Sequence, residues 1–347
     1  TRLIEYNPVT GAVTLNVTGM TGSRYGNNVY SIQTNNTAAG TRLINWTLDG
    51  TSDNFKERIQ SNISFPFTSL GSCDFETGVA VTTANIIPNA TGYTTSVRIM
   101  AASIKTGQLL WNITQDGLLY TGSGSVANNG KFAALFVGGD NGNNYMAWDL
   151  LSGQKAWTSE LFGYPWGRPS FGAYAVQSAY GLIFTQRYDG VHAIDWKTGK
   201  IVWTYVAPAP PYETPYSMGV NEPIYSWNAG GIVADGKVYT YNTEHTPSEP
   251  FTRGWKLHCI NATTGEGIWN ITGPMTPGAA ADGYLTASNS YDGYMYVFGK
   301  GKSATTVTAP QTAITQGQSI VLTGTVLDQS PAQPGTPCIS QDSMATY

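Results

Sequence analysis

Residues with catalytic or metal-binding chemistry are few in this chain and lie far apart. Glu244 and His245 are adjacent and could act in acid–base chemistry or metal binding, but an isolated pair of this kind is more often a structural hydrogen-bonded element. Cys73, Cys259 and Cys338 lack the short spacings of zinc or redox motifs, and both a single disulfide and buried thiols remain open. The sequence therefore predicts no catalytic residue and no metal site.

A second kind of chemistry is suggested by Asn-x-Ser/Thr sequences, which can accept N-linked glycans. In three of them the acceptor, Asn16, Asn112 or Asn270, stands at the same place in a repeated strand. Sugars there would shield a sheet edge, which predicts an extracytoplasmic glycoprotein; common ancestry of the repeats is the other explanation of the shared position. The predicted acceptors are Asn16, Asn35, Asn45, Asn62, Asn89, Asn112, Asn261 and Asn270.

These residues must be positioned by a nine-residue segment that recurs along the chain, with its clearest copy at residues 195–203. Asp195 can accept hydrogen bonds from a turn, Gly199 can close a tight hairpin, and Trp203 stands on the strand that follows. Further copies end at Trp111, Trp157 and Trp269. This many copies, each ending a strand pair, predicts a repeat protein built from β-hairpins.

Composition supports an all-β class. The 347 residues are 12% charged and include 40 glycines, which suits short strands with tight turns, and the net charge of −4 gives no basic footprint for nucleic acid. No apolar run is long enough to cross a bilayer. The chain opens in the middle of a strand pattern, so it is expected to be processed or partial.

The spacing of the copies predicts a β-propeller of six to eight four-stranded blades over residues 1–302. The first unit has only the pattern of two outer strands, and the last unit lacks its outermost strand, which is what ring closure by shared strands would leave. Residues 303–347 change to Thr/Val-rich strands followed by prolines. This segment resembles the start of an immunoglobulin-like module or a linker, completed by further chain or by a neighbouring subunit.

The repeated hairpin resembles that of quinoprotein-type β-propellers, and Trp111, Trp157, Trp203 and Trp269 match the positions at which neighbouring blades of that family dock. Residues 298–302, 243–247 and 253–255 resemble archaeal extracellular proteins with pyrroloquinoline-quinone-like repeats. The resemblance implies the propeller fold over residues 1 to about 302. The adjacent cysteine pair that the dehydrogenases of this family carry beside the quinone is missing from this sequence, and no calcium motif can be placed on it.

Propeller geometry places the connections between second and third strands, and those between successive blades, on one face of the ring. The long segments of this chain are of these two kinds, so we predict a ligand or partner surface there. The alternative is that its aromatic residues only pack the loops down. The predicted surface consists of Tyr164, Trp166, Arg168, Tyr212, Tyr216, Trp227, Glu244, His245 and Arg253.

The sequence thus favours a glycosylated cell-surface or extracellular propeller that acts as a non-catalytic binding or assembly module of an archaeal envelope. It predicts no cofactor, and protein or glycan partners, with self-assembly through the C-terminal strands as one mode. One alternative is a dehydrogenase of alcohols or sugars that uses pyrroloquinoline quinone and calcium, and a second is a carbohydrate-binding propeller.

Overall fold

The computed structural model describes most of the chain. The described residues are 2–7, 10–19, 21–34, 40–50, 52–88, 96–119, 124–138, 142–162, 176–187, 189–209, 227, 230–242, 254–281, 283–299 and 302–329. They fall into two compact units. Unit 1 contains Thr1–Phe184 and Ile194–Val202, and unit 2 contains Thr185–Ala193 and Trp203–Tyr347.

Strands and tight turns make up nearly all of the regular structure in these ranges, with one short 3-10 helix at Phe55–Arg58. The strands of the first half are β1 Arg2–Tyr6, β2 Val13–Thr18, β3 Ser23–Tyr25, β4 Asn28–Thr34, β5 Thr41–Thr47, β6 Ile59–Ser64, β7 Ser72–Asp74, β8 Val79–Ile86, β9 Ser96–Ser103, β10 Leu109–Asp116, β11 Leu118–Leu119, β12 Ser125–Asn128, β13 Lys131–Gly138, β14 Gly142–Asp149, β15 Lys155–Thr158 and β16 Val176–Ala179. Those of the second half are β17 Leu182–Arg187, β18 Gly190–Asp195, β19 Ile201–Tyr205, β20 Gly231–Ala234, β21 Lys237–Asn242, β22 Lys256–Asn261, β23 Gly267–Thr272, β24 Met275–Ala281, β25 Tyr284–Asn289, β26 Met295–Gly299, β27 Ser303–Thr308 and β28 Thr323–Asp328.

The strands form eight sheets in the described residues, numbered here in chain order. Sheet 1 is β1-β2, sheet 2 β3 to β6, sheet 3 β7 to β10, sheet 4 β11 to β15, sheet 5 β16 to β19, sheet 6 β20 to β23, sheet 7 β24 to β26 and sheet 8 β27-β28. Sheets 2, 3, 5 and 6 are four-stranded meanders, in which each strand pairs with the next in sequence. The predicted all-β, multi-blade propeller fold is confirmed; the immunoglobulin-like character of residues 303–347 stays a prediction.

The two incomplete sheets are at the ends of the propeller segment, as the strand pattern predicts. Sheet 1 has two strands, and sheet 7 has three in the order β24-β25-β26. In the described part of the chain β26 therefore pairs on one side only. Ring closure by shared strands stays a prediction.

The recurring turn has one hydrogen-bond pattern wherever it is found. In the turn that begins at Asp195, the Asp195 N–H donates to the Lys200 carbonyl and the Gly199 N–H donates to the Asp195 carbonyl, each at 2.9 Å. The Asp195 carboxylate also accepts from the backbone N–H groups of Lys197 and Thr198 at 2.9 and 2.7 Å. Equivalent bonds form at Ser103, Asp149 and Asn261. The short oxygen-bearing side chain at the first position thus stabilises each turn.

Three of these turns, those that begin at Asp149, Asp195 and Asn261, receive a tryptophan from the preceding sheet. In unit 1 the Trp111 Nε1–H donates to the Leu150 carbonyl at 2.7 Å, and the Trp157 Nε1–H donates to the Trp196 carbonyl at 2.9 Å. In unit 2 the Trp203 Nε1–H donates to the Ala262 carbonyl at 3.1 Å. The accepting carbonyl belongs in every case to the second residue of the turn.

A glycine makes room for each of these indoles. A Cβ atom on Gly199 would lie 2.5 Å from Cε3 of Trp157, and Gly153 and Gly265 are equally close to Trp111 and Trp203. The same glycines have positive φ angles, +73° at Gly199, which disfavour any other residue. Gly199 therefore serves both the turn and the contact between sheets.

Apolar side chains fill the spaces between neighbouring sheets within each unit. In unit 1, Leu15 and Val17 pack on Ile44 and Trp46 between sheets 1 and 2. Further apolar clusters lie between sheets 2 and 3, sheets 3 and 4, and sheet 4 and the part of sheet 5 in unit 1. In unit 2, Leu257 and Leu285 belong to a cluster between sheets 6 and 7. Trp269 packs beside that cluster, 6.3 Å from the ring centre of Phe298.

The cysteines in the described residues are thiols. Cys73 and Cys259 are both free, and burial raises the pKa of each thiol to about 12. They are therefore poor nucleophiles at neutral pH. Cys338 lies outside the described residues. No helix in the described ranges has the length and apolar character needed to span a membrane.

We expect Gly199→Ala to destabilise the protein more than Gly181→Ala. Both glycines have nearly the same φ, +73° and +74°, but a Cβ on Gly181 would meet no atom within 4 Å, whereas one on Gly199 would collide with Trp157. The left-handed backbone costs about 1–2 kcal/mol in both variants, and the collision adds about 1–3 kcal/mol in Gly199→Ala alone. Urea unfolding of both variants measures the difference. Equal losses of unfolding free energy in the two variants would show that the close approach of Trp157 to Gly199 adds nothing to the cost of the substitution.

Candidate functional site

Unit 2 has an unusually polar interior where its strands approach the connections between second and third strands. Its buried polar side chains are contributed by the end of β17, the start of β18, β21 and β22. We call this set the polar end of unit 2; it comprises Gln186, Arg187, His192, Thr240, Asn242 and His258. Buried polar groups are costly unless hydrogen-bonded, so their partners decide what this region can do.

His258 is the centre of one hydrogen-bonded group. Its Nε2 is 2.8 Å from Oδ1 of Asn242, and its Nδ1 is 3.2 Å from the hydroxyl of Tyr205. Asn242 Oδ1 also accepts from the backbone N–H of Lys256 at 3.1 Å. The Trp227 ring lies over the imidazole with the ring centres 4.8 Å apart. All ring edges of His258 are thus occupied by protein groups.

The protonation state of this group follows from its burial. Burial, followed by the positive charge of Lys256, lowers the pKa of His258 to about 3. Burial, followed by the charge of Cys259, raises the pKa of Tyr205 to about 12. At neutral pH the imidazole is therefore neutral and the phenol is protonated. Since the amide oxygen of Asn242 can only accept, Nε2 carries the imidazole proton and the Tyr205 hydroxyl donates to Nδ1.

A second group connects a carboxylate, an imidazole and a hydroxyl. Asp189 Oδ1 is 2.8 Å from His192 Nε2, and His192 Nδ1 is 2.8 Å from Thr204 Oγ1. Burial raises the pKa of Asp189, but the hydrogen bond and charge of His192, with the charge of Arg187, outweigh it, so the pKa of Asp189 lies below its ordinary value. The connectivity is that of an acid–base relay.

This relay is built into the sheet. His192 is on β18 and Thr204 is on β19; the imidazole side chain is 4% exposed and that of Asp189 27%. Its two hydrogen bonds join His192 to Asp189 and to β19. The signal in the sequence was weak, because Asp189 and His192 are three residues apart but their hydroxyl partner is on another strand.

The sequence-predicted ligand surface falls almost entirely outside the described residues. This is the case for Tyr164, Trp166, Arg168, Tyr212, Tyr216, Glu244, His245 and Arg253. Trp227 is described: it is 2% exposed and packs on His258 and Tyr205. The ligand or partner surface stays a prediction.

The described residues of the polar end do not provide a site for quinone and calcium. Across the described ranges no three His, Cys, Asp or Glu side chains are grouped so that they could hold a metal ion together. The aromatic face of Trp227, which could stack on a planar cofactor, is instead packed on His258.

The predicted glycan acceptors lie in three kinds of position. Asn16, Asn62 and Asn112 are exposed on the outermost strands of sheets 1, 2 and 3. Asn270, on the outermost strand of sheet 6, is only 8% exposed and accepts a hydrogen bond from Lys256 Nζ at 3.0 Å. Asn270 is therefore the least accessible of these four acceptors; that they carry glycans stays a prediction.

The remaining acceptors are placed differently. Asn45 is partly buried on β5, one strand in from the edge. Asn261 begins a turn, and its Oδ1 accepts from the N–H groups of Thr263 and Thr264 at 2.9 and 3.1 Å. Asn35 and Asn89 lie outside the described residues.

Sheet 7 exposes an apolar surface that the sequence reasoning missed. Its inner side chains, Leu285 and Ala287, are buried in the cluster with sheet 6. The register of β25 with β26 places Tyr284, Met295 and Val297 on the opposite side, where they are 53%, 66% and 62% exposed. We call these three residues the open face of sheet 7.

In the described residues the outer edge of sheet 7 is unpaired as well. The edge strand β26 has the sequence Met-Tyr-Val-Phe-Gly, with no charged residue and no proline. Its pairing with β25 has no register shift, so it also lacks a bulge. Tyr291 and Tyr294 are exposed at the turn before it. An edge without charge, proline or bulge is ready to pair with another strand. The signal in the sequence was the missing hairpin after residue 298.

Comparisons with known proteins give the following similarities. The family model described as outer membrane protein assembly factor BamB matches residues 2–300. A search of curated proteins found no match to the chain.

Several solved structures are similar. BamB from Moraxella catarrhalis is 17% identical, with 90% of this chain and 88% of that chain covered and a TM-score of 0.42. The quinohemoprotein alcohol dehydrogenase ADHIIG from Pseudomonas putida HK5 is 17% identical, with 65% of this chain and 41% of that chain covered and a TM-score of 0.38. The WD40 β-propeller domain of Doa1 is 11% identical, with 79% of each chain covered and a TM-score of 0.35.

We expect acid to destabilise the protein through His258. Below about pH 6.5 the imidazole is protonated in the unfolded chain but stays neutral in the folded protein until about pH 3, so protons favour unfolding across this window. The free energy of unfolding should fall by up to about 1.4 kcal/mol per pH unit from this group. His258→Gln should remove the contribution of this imidazole to the slope of unfolding free energy against pH. Tyr205→Phe keeps the imidazole and should retain that contribution. Urea unfolding at pH 7, 6, 5 and 4 measures the slopes, and an unchanged slope in His258→Gln would contradict the assignment.

Proposed function

The chain belongs to the β-propeller family described as outer membrane protein assembly factor BamB, and we propose that it is a non-catalytic module that binds protein partners at the cell surface. This proposal keeps the sequence-based prediction of an extracytoplasmic assembly or binding protein of an archaeal envelope. The family description supports a role in assembly. The observation that carries the proposal for this chain is the open face and open edge of sheet 7.

The open face is suited to protein contact. Tyr284, Met295 and Val297 lie on one side of a sheet whose other side packs Leu285 and Ala287 into the cluster with sheet 6. Contiguous exposed apolar side chains on a soluble domain mark interaction surfaces, and Tyr and Met are enriched in interfaces. Since the only ionisable groups at the neighbouring turn are Asp292 and tyrosines, the surface favours an apolar partner over a charged one.

The open edge specifies how a partner would bind. A strand added beside β26 would gain main-chain hydrogen bonds along the edge and would place alternate side chains on the open face. The partner is therefore a protein that presents an extended, apolar β-strand. Binding of this kind needs a rigid template, which sheet 6 and the packed side of sheet 7 supply.

A photo-crosslinking amino acid placed at Val297 tests the proposal in cells that produce the protein naturally. We expect a discrete product with another protein. Leu151 is the matched control, because it is an apolar residue with 65% exposure in a turn of unit 1, against 62% for Val297. Products of equal yield from both positions, or none from position 297, would contradict the proposal.

A charge on the open face should weaken binding without unfolding the protein. With the photo-crosslinking amino acid placed at position 294, we expect Val297→Lys to lower the yield of the crosslinked product at least fivefold. This corresponds to a loss of more than about 1 kcal/mol of binding free energy, as for a central interface residue. The free energy of unfolding of the Val297→Lys variant should lie within about 0.5 kcal/mol of that of the unsubstituted protein, as for other surface substitutions. Unchanged crosslinking would exclude the open face as the contact.

Catalysis is tested separately. We expect the protein supplied with pyrroloquinoline quinone and calcium to show no dye-linked oxidation of alcohols or sugars. Turnover above a heat-denatured control would overturn the non-catalytic assignment and favour the dehydrogenase alternative.

A further inference from the structure

Four sheets carry an Asn-x-Ser/Thr sequence at one shared register of the outermost strand. Asn16 pairs with Ile4, and the other three acceptors pair with the same position of the third strand in their sheets. These pairs are Asn62 with Ile44, Asn112 with Met100 and Asn270 with His258. A register shift lies just before each acceptor, between the third and fourth strands. In sheet 2 the acceptor Asn62 keeps this position although the residue before it is Ser61, where sheets 3 and 6 have a tryptophan.

A basic residue faces the hydroxyl of each of these sequences across the strand pair. The pairs are Arg2 with Thr18, Arg42 with Ser64, Arg98 with Thr114 and Lys256 with Thr272. The outermost strands β15 and β19 lack the acceptor: Thr158 and Thr204 occupy its position, and Glu160 and Val206 occupy that of the hydroxyl. The cation and the acceptor sequence thus recur together.

Arg42 shows what the cation does. Its Nε donates to Asn62 Oδ1 at 2.8 Å and its Nη1 donates to Ser64 Oγ at 3.1 Å, and Nη2 also donates to the Asn62 carbonyl. A guanidinium group can only donate, so it binds the oxygen of the carboxamide and leaves the nitrogen directed away from it. Among the described residues, the side-chain nitrogen of Asn62 makes no hydrogen bond.

We propose that Asn16, Asn62 and Asn112 carry N-linked glycans and that Asn270 does not. The first three are exposed, whereas Asn270 is 8% exposed beneath Lys256. Asn is disfavoured within strands, and the three copies that are exposed are the ones whose carboxamide an external enzyme can reach. The inference rests on the proposed function in one respect, since the modification needs a chain exported from the cytoplasm.

The modification is a glycosyl transfer. The Asn nitrogen forms a bond to the anomeric carbon of a sugar carried on a lipid phosphate or diphosphate, and the bond from that carbon to the phosphate oxygen breaks. The lipid-linked phosphate leaves with the electron pair of that bond. The amide nitrogen loses one proton to a base of the transferase.

Peptide-level mass spectrometry of the protein purified from its native cells tests the inference. We expect glycan on Asn16, Asn62 and Asn112 and an unmodified Asn270. Thr114→Val, which keeps Asn112 but removes the hydroxyl, should lose the glycan at Asn112 alone. The double variant Thr158→Asn, Glu160→Thr should gain one glycan on β15, because position 158 has the same register and is exposed.

The outcomes separate this inference from the proposed function. Unmodified Asn16, Asn62 and Asn112 on protein that external protease digests in intact cells would overturn the inference and leave the surface role standing. Protein protected from that protease would overturn the surface location itself. Glycan on Asn270 would overturn the rule that burial beneath Lys256 decides which acceptors are used.

Discussion

The contact between a tryptophan and a glycine of the next turn is the constraint on which this structure depends. The indole needs a residue without a side chain beneath it, and the turn needs a residue that tolerates positive φ, so glycine meets both needs at Gly153, Gly199 and Gly265. The indole N–H is satisfied by a carbonyl of the same turn, which removes the cost of burying it. The packing of the indole and its hydrogen bond thus hold the same strand against the same turn of the next sheet.

With the sheets held in this way, the two units use their interiors differently. Unit 1 contains apolar clusters around Phe132 and Leu135, and Arg58 and Asp74 are among its few buried polar side chains. Unit 2 instead buries Gln186, Asn242 and His258 and satisfies them through directional bonds. Because a neutral imidazole is required there, the interior of unit 2 depends on pH as well as on packing. Such networks define a unique arrangement more strictly than apolar contacts do.

Local residue patterns were enough to predict the hairpins, the all-β class and the incomplete last sheet, because turn chemistry and strand alternation act over a few residues. They were not enough for features that depend on pairing between strands. The register shift between Leu109 and Trp111 decides that Arg98 faces Thr114, and nothing near either residue reveals it. The burial of Trp227 and Asn270 likewise depends on side chains of other strands. The aromatic segments around residues 164 and 212 were predicted from propeller geometry alone and stay predictions.

The docking motif has a consequence for how the chain could have evolved. Each nine-residue segment contains a carbonyl and a glycine that contact the tryptophan of the preceding sheet, and it ends with a tryptophan of its own. Trp196, Gly199 and Trp203 form one such set, and Ala262, Gly265 and Trp269 form another. Since Leu150, Trp196 and Ala262 stand at the same place in their turns and Trp111, Trp157 and Trp203 at the same place in their strands, repeats of this kind can follow one another. Duplicating or deleting a whole repeat in the gene leaves compatible junctions on both sides, so repeat number can change in one genetic event without new compensating substitutions.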